Sequence, residues 1–159
     1  MHAVVYDTST PTKLATPAAR AHVGVRTPPD RERLPMNELP VVIASDAVPA
    51  LLDYLHSQRI ARVNLVADGN TWRVLGQRAA QALAAAGIHV RHILLAGDEV
   101  TPDAQTVVET LLGAGRAQRL SIAVGSGVIT DVTRFASYCT GNDFISLPTA
   151  PSVDAYTST

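Results

Sequence analysis

From residue 40 onward, apolar positions recur with two alternating periods. The short runs Val41-Val42-Ile43-Ala44, Val63-Asn64-Leu65-Val66, His89–Leu95, Leu120–Val124 and Phe144–Leu147 predict strands. Between them, apolar residues fall three and four apart, the spacing of one helix face. Val48, Leu51, Leu52 and Leu55 mark a helix that Asp46 is placed to cap. Thr71 to Ala86 predicts a second helix, ended by Gly87. A third is expected to start at Thr101-Pro102-Asp103, with Pro102 at its first position, and to run to Leu112 before Gly113 and Gly115 break it. Val128 to Tyr138 predicts a fourth, with Gly141 at its end. Strand and helix thus alternate through short connections. The expected fold class is α/β, an open, mostly parallel sheet with helices on both faces.

The first 40 residues carry no such period. Pro11, Pro17, Pro28, Pro29, Pro35 and Pro40 interrupt them, and Pro29-Asp30-Arg31-Glu32-Arg33 reads as exposed. A short strand fits Ala3–Tyr6. Residues 1–39 are read as an N-terminal arm or loops, either a poorly ordered leader or an arm packed on the protein or a partner, and residues 40–159 as the folded domain.

Composition narrows the classes. Apolar residues make up 47% and aromatics only 4%, which suits a helix-covered sheet better than an aromatic-rich sandwich. Thirteen basic against fourteen acidic residues give a net charge of −1, so charge offers no argument for nucleic acid or an anionic membrane. Local phosphate binding stays open, because backbone N–H groups bind phosphate without basic side chains. Cys139 is the only cysteine, which excludes an intrachain disulfide and a thiolate cluster and favours a reducing, cytoplasmic location. The start of the chain does not read as a signal peptide, and no run has the length of a membrane span, so no membrane insertion is expected.

Candidate chemistry gathers in residues 124–154. Gly125-Ser126-Gly127 follows an apolar strand and opens a helix, where glycine admits phosphate oxygens and the helix start supplies N–H groups. The same glycines also fit a tight turn without a ligand. Thr130 stands where the ordinary dinucleotide fingerprint has its third glycine, and no Lys-Ser or Lys-Thr pair makes this a Walker A loop. Asp131, one turn into the helix, is placed either to meet a ribose or to stabilise the helix start. Thr149 and Ser152 offer hydroxyls at the end of the next strand, and Asp154 a carboxylate beyond it. Asp98 and Glu99 follow a central strand, where a carboxylate binds an adenosine ribose and disfavours the extra phosphate of NADP; nearby Arg91 and Thr101 leave NAD versus NADP open.

Three segments together resemble the glycerol-1-phosphate dehydrogenase branch of the dehydroquinate synthase and iron-containing alcohol dehydrogenase superfamily. They are Val66-Ala67-Asp68-Gly69-Asn70-Thr71, then Val124-Gly125-Ser126-Gly127 with Ile129 and Asp131, and Ser146-Leu147-Pro148-Thr149-Ala150-Pro151-Ser152-Val153-Asp154. The resemblance implies a Rossmann-like domain that binds NAD or NADP, followed by a mainly helical domain holding a divalent metal (zinc, nickel or iron). Residues 40–159 would be the nucleotide-binding domain, truncated before the metal-binding one, and this chain alone would bind no metal. By the same resemblance, Gly125, Ser126 and Gly127 would meet the pyrophosphate. Asp68, Asn70 and Thr71 would lie near the adenosine half, Asp131 toward the nicotinamide, Thr149 and Ser152 on the cofactor, and Asp154 toward the substrate. The implied reaction is reduction of dihydroxyacetone phosphate by metal-assisted hydride transfer, in phospholipid biosynthesis. A dehydroquinate synthase-like or other polyol reaction, and a non-catalytic nucleotide-binding or interaction domain, are the alternatives.

Departures accompany the resemblance. Ser126 stands where relatives often have glycine, Gly69 where they often have an acid, and Ala44-Ser45-Asp46-Ala47 where they often have a glycine-containing turn. None of His2, His22, His56, His89 and His92 matches the implied metal ligands. The expected partner is a small polyol phosphate, with no nucleic acid. An apolar edge near Leu147–Tyr156 is expected to promote aggregation or a homo-oligomeric contact.

Overall fold

The sheet is built from β1 (His2–Tyr6), β2 (Val41–Ile43), β3 (Arg62–Asp68), β4 (His89–Leu95), β5 (Leu120–Val124) and β6 (Asp143–Leu147), in the spatial order β2-β1-β6-β5-β3-β4. The computed structural model describes residues 2–6, 41–43, 46–97, 100–114, 120–125 and 127–149. β3 pairs in parallel with β4 and β5, and β5 with β6. β1 lies antiparallel between β6 and β2, so it alone of the six runs against the rest. The helices are α1 (Val48–Ser57), α2 (Gly69–Thr71), α3 (Gln77–Ala85), α4 (Ala104–Ala114) and α5 (Gly127–Thr140), with a π turn (Trp72–Gly76) joining α2 to α3.

Burial explains the layers. All five residues of β5 are buried, as a strand covered on both faces requires, whereas β4, expected to be a central strand, lies at the sheet edge with only β3 beside it and is mostly exposed. On one face Leu65, Ile122, Ile145 and Leu147 pack with Leu51 and Leu55 of α1 and Leu83 of α3. On the other, Val66, Ile93, Ala123 and Phe144 pack with Ile129 and Val132 of α5. Successive strand residues serve opposite faces, the expected period of two. Asn64, fully buried in β3, donates through Nδ2 to the Ala114 carbonyl at 3.0 Å and to Ser121 Oγ at 3.3 Å, tying the end of α4 to both central strands.

Several element boundaries differ from the sequence expectation for identifiable reasons. The predicted Thr71–Ala86 helix contains the π turn, in which the Gln77 N–H donates to the Trp72 carbonyl. Gly76 permits it, since a Cβ there would lie 2.8 Å from Trp72 Cε3. α4 starts at Ala104, not Pro102, because Asp103 is its cap. Asp103 Oδ1 accepts from the Thr106 N–H at 2.9 Å, and Oδ2 from the Thr101 hydroxyl at 2.8 Å. These bonds, the Thr106 amide foremost, hold the Asp103 carboxyl below its ordinary value, so the cap weakens only as pH falls through that lowered value. Gly113 does not break α4; it lies inside it, and a Cβ there would sit 2.9 Å from Ile93 Cγ2. It lets the helix lie close on β4. The cap position of α1 is Ala47, not Asp46; Asp46, one residue earlier, still accepts at Oδ1 from the Val48 N–H at 3.1 Å, while Arg78 of α3 pairs with the same carboxylate at 2.7 Å.

Candidate functional site

The chain leaves β3 toward the face of α3 and leaves β5 toward the face of α5. Neighbouring strands whose helices depart to opposite faces open a crevice at their C-terminal ends, where open α/β sheets bind ligands. Val66 lies opposite Ala123 and Val124 opposite Leu147. Continuing both registers brings Asp68, Gly125 and Pro148 level at the mouth of this crevice. The Gly125 N–H donates to the Leu147 carbonyl at 3.2 Å, so strand pairing continues into the loop.

Two helix starts meet here, and they differ in the acid they carry. At α2, Asp68 Oδ1 accepts from the Asn70 N–H at 2.9 Å and the Thr71 N–H at 2.7 Å, while the Asp68 N–H donates to Thr71 Oγ1 at 3.0 Å. This reciprocal box seats a carboxylate on the helix start. α5 has no acidic residue in its first turn. The first-turn amides of a helix lack intrahelical partners and sit at the positive end of its dipole, an arrangement that favours phosphate.

The candidate residues divide by what holds them. Gly125 is buried, and a Cβ there would lie 2.7 Å from both Cβ and Cγ1 of Ile129. Its role in the fold is to let α5 settle against the strand end; its amide is committed to Leu147. Gly127 begins α5. Asp131 is half-exposed and pairs with Arg134 one turn on at 3.3 Å. Thr149 lies half-buried just past β6. Thr71 is buried and engaged in the cap, whereas Asn70 is exposed. Asp98, Ser126, Ser152 and Asp154 lie outside the described residues, as does most of the Leu147–Tyr156 edge.

Two features at the crevice were not read from the sequence. Thr130 is buried and its Oγ1 lies 3.2 Å from Ser146 Oγ of β6, so the position of the missing third glycine is filled by a hydroxyl that finds a partner. Thr130→Val should cost about 1–3 kcal/mol by leaving the Ser146 hydroxyl buried and unpaired. The Thr130→Val/Ser146→Ala pair should recover most of that loss in urea denaturation; additive losses would refute the coupling. The second feature is Arg73, whose Nε donates to the Gly69 carbonyl at 3.1 Å and whose Nη2 donates to Asn70 Oδ1 at 2.5 Å. Its only sequence signal is a spacing of three and four residues on a helix.

The described histidines do not converge. His92 stacks obliquely on Trp72, with ring centroids 5.0 Å apart. An open groove of about 700 Å³ between α3 and β4, lined by Trp72, Gln81, His89 and His92, lies away from the strand-end crevice. Among the described residues, no three His, Cys, Asp or Glu side chains form a group that could hold a metal ion. Partial burial pushes the Cys139 thiol above its ordinary value, which disfavours thiolate chemistry. No described helix is long and apolar enough to cross a membrane.

Comparison with known proteins agrees with the motif resemblance. Residues 42–159 match the family model for iron-containing alcohol dehydrogenase. The chain is 38% identical over 132 residues to a glycerol-1-phosphate dehydrogenase of Halalkalibacterium halodurans, covering 81% of this chain and 33% of that protein. It is 36% identical to the Bacillus subtilis enzyme of that name, covering 79% and 32%. Both names specify NAD(P)+. A 3-dehydroquinate synthase of Acaryochloris marina is 31% identical, covering 74% and 35%. The fold is similar to that of glycerol dehydrogenase from Schizosaccharomyces pombe, with a TM-score of 0.60 at 20% identity over 69% of this chain and 27% of that one. The chain thus spans about a third of the length of the curated relatives it matches.

Proposed function

Because the chain belongs to the iron-containing alcohol dehydrogenase family, we propose that it supplies the nucleotide-binding half of an NAD(P)-dependent glycerol-1-phosphate dehydrogenase. The observation that carries this reading is the pair of unlike helix starts at the crevice, one capped by Asp68 and one without an acid in its first turn.

The pyrophosphate is assigned to the start of α5, with Gly125 keeping the helix seated, Gly127 opening it and Ser126 between them. Asp68, Asn70 and Thr71 form the rim at β3, with the Asp68–Thr71 box holding its shape. Asp131, Thr149 and Ser152 are assigned to the cofactor's remaining polar groups, Asp98 to its adenosine side, and Asp154 to the substrate. When bound, NAD(P)H supplies the hydride that reduces the carbonyl of dihydroxyacetone phosphate. The chain's own residues bind and orient the nucleotide so that its reacting face is held in one position. The described residues do not fit a metal; its ligands are proposed to come from residues outside those described. A dehydroquinate synthase-like activity is the second reading, favoured by the Acaryochloris marina relative.

Calorimetric titration of the chain with NADH and NADPH tests the nucleotide assignment. Saturable, one-to-one binding is expected, and a folded chain that binds neither refutes it. For a protein carrying this chain at the length of its relatives, oxidation of NADH or NADPH on adding dihydroxyacetone phosphate supports the first reading; no oxidation, with turnover of a dehydroquinate precursor, supports the second. Asp68→Ala should cost about 0.5–2 kcal/mol through loss of the cap, read by thermal unfolding. An unchanged midpoint would refute the box as a stabilising element.

A further inference from the structure

We propose that Arg73 is a specificity-determining residue that receives the 2′-phosphate of NADP, an inference that rests on the nucleotide reading above. Arg73 is exposed but bent back onto its own turn. Its Nε donates to the Gly69 carbonyl at 3.1 Å and its Nη2 to Asn70 Oδ1 at 2.5 Å, which folds the guanidinium back over the turn that closes β3. Holding a long exposed side chain in one pose opposes its rotamer entropy, and the result is a cation fixed at the crevice rim. A guanidinium has five N–H donors. The two bonds occupy two of them, and no carboxylate pairs with Arg73 among the described residues. The remaining donors form part of the planar fork that binds phosphate bidentately.

Position selects which phosphate. β3 is the direct neighbour of β5, about 4.8 Å away, and Asp68 is level with Gly125 by register. A dinucleotide lies across such a switch point. With the pyrophosphate at α5, the adjoining adenosine ribose falls at the end of β3. β4, which Asp98 follows in sequence, is separated from β5 by β3, so of these two strand ends that of β3 is the nearer to β5 and the start of α5. The Asp68 carboxylate there would repel an added phosphate, but its Oδ1 already accepts two backbone amides, which offsets part of that charge. The turn therefore presents a partly compensated acid beside a guanidinium with no carboxylate partner among the described residues, a combination that admits NADP as well as NAD.

The test is a set of titrations of the chain and its variants with NADH, NADPH, adenosine 5′-phosphate and adenosine 2′,5′-bisphosphate. The unsubstituted chain should bind NADPH at least as tightly as NADH. Arg73→Gln should weaken NADPH and the bisphosphate by about tenfold to a hundredfold, the range of a charge-assisted hydrogen bond. NADH and the 5′-phosphate should change by less than about twofold, since neither carries the group that Arg73 meets. Arg73→Lys should recover part of the loss, because it restores the charge but not the fork. Circular dichroism confirms that each variant folds. Equal losses for NADH and NADPH would reduce Arg73 to a brace of the turn and overturn the proposal. So would an unchanged NADPH affinity in Arg73→Gln, or a tenfold preference of the unsubstituted chain for NADH. If NADH binds normally in such a case, the nucleotide reading stands and only the assignment of Arg73 falls; if no adenosine nucleotide binds the unsubstituted chain, both fall.

Discussion

Gly125→Ala should weaken binding of both nicotinamide nucleotides by roughly tenfold or more, equivalent to about 1.4 kcal/mol, and lower stability by about 1–3 kcal/mol through overpacking. The added methyl would lie 2.7 Å from Ile129 Cβ, an atom fixed to the helix rather than the free end of a flexible side chain. Ile129 is itself buried against β3, β5 and β6, so it has nowhere to retreat. The strain is relieved only by lifting the start of α5 or by opening the Gly125–Leu147 hydrogen bond. Either movement displaces the helix amides assigned to the pyrophosphate. Nucleotide titration and urea denaturation of the same preparation read the two effects together. A variant with unaltered affinity and unaltered midpoint would show that α5 does not depend on this contact.

Phe144→Ala should destabilise the protein by about 3–5 kcal/mol, the cost of deleting a buried aromatic side chain and leaving a cavity. Phe144 is fully buried in β6, on the face that holds Ile129 and Val132. Set against a total stability of about 5–15 kcal/mol for a typical domain, that loss removes a large share. Residual folded protein should bind nucleotide less tightly, because α5 loses the surface on which it rests. Phe144→Leu, which conserves most of the volume, should cost less than about 1.5 kcal/mol. Denaturant midpoints decide the matter: equal losses for the two variants would mean that packing volume at this position is unimportant.

Much of this architecture was legible because burial on both faces leaves a plain mark. Leu120–Val124 is almost wholly apolar, and its alternation with helical spacing predicted a covered parallel strand. Helix ends at Gly87 and Gly141 were equally plain, since both adopt positive φ, of 77° and 70°. What the sequence hid depends on contacts distant along the chain. Gly113 reads as a breaker when only its neighbours are considered, yet its requirement comes from Ile93. Pro102 is compatible with a first helical position, but the two bonds to Asp103 set the start of α4 later. The π turn leaves the apolar spacing nearly unchanged, so periodicity could not reveal it, or the return of Arg73 onto the β3 turn. The local pattern at Gly125 suggests phosphate access, and its place beside α5 adds a packing reason that no local pattern carries.

The position of β1 bears on how the molecule assembles. The first strand of the chain lies between β2 and β6, and β6 is the last described strand to be made. During synthesis, β1 and β2 can meet early as an antiparallel pair, but their shared sheet can join the parallel core only after residues 143–147 have emerged. That union closes a loop of nearly the whole chain, a non-local step of the kind that slows folding. Until it occurs, a nascent or refolding molecule with β3 to β6 in place would display the bare edge of β6. Such an edge is a template for pairing with another chain. Yield on refolding should therefore fall as protein concentration rises, and deletion of residues 1–6 should make that dependence steeper.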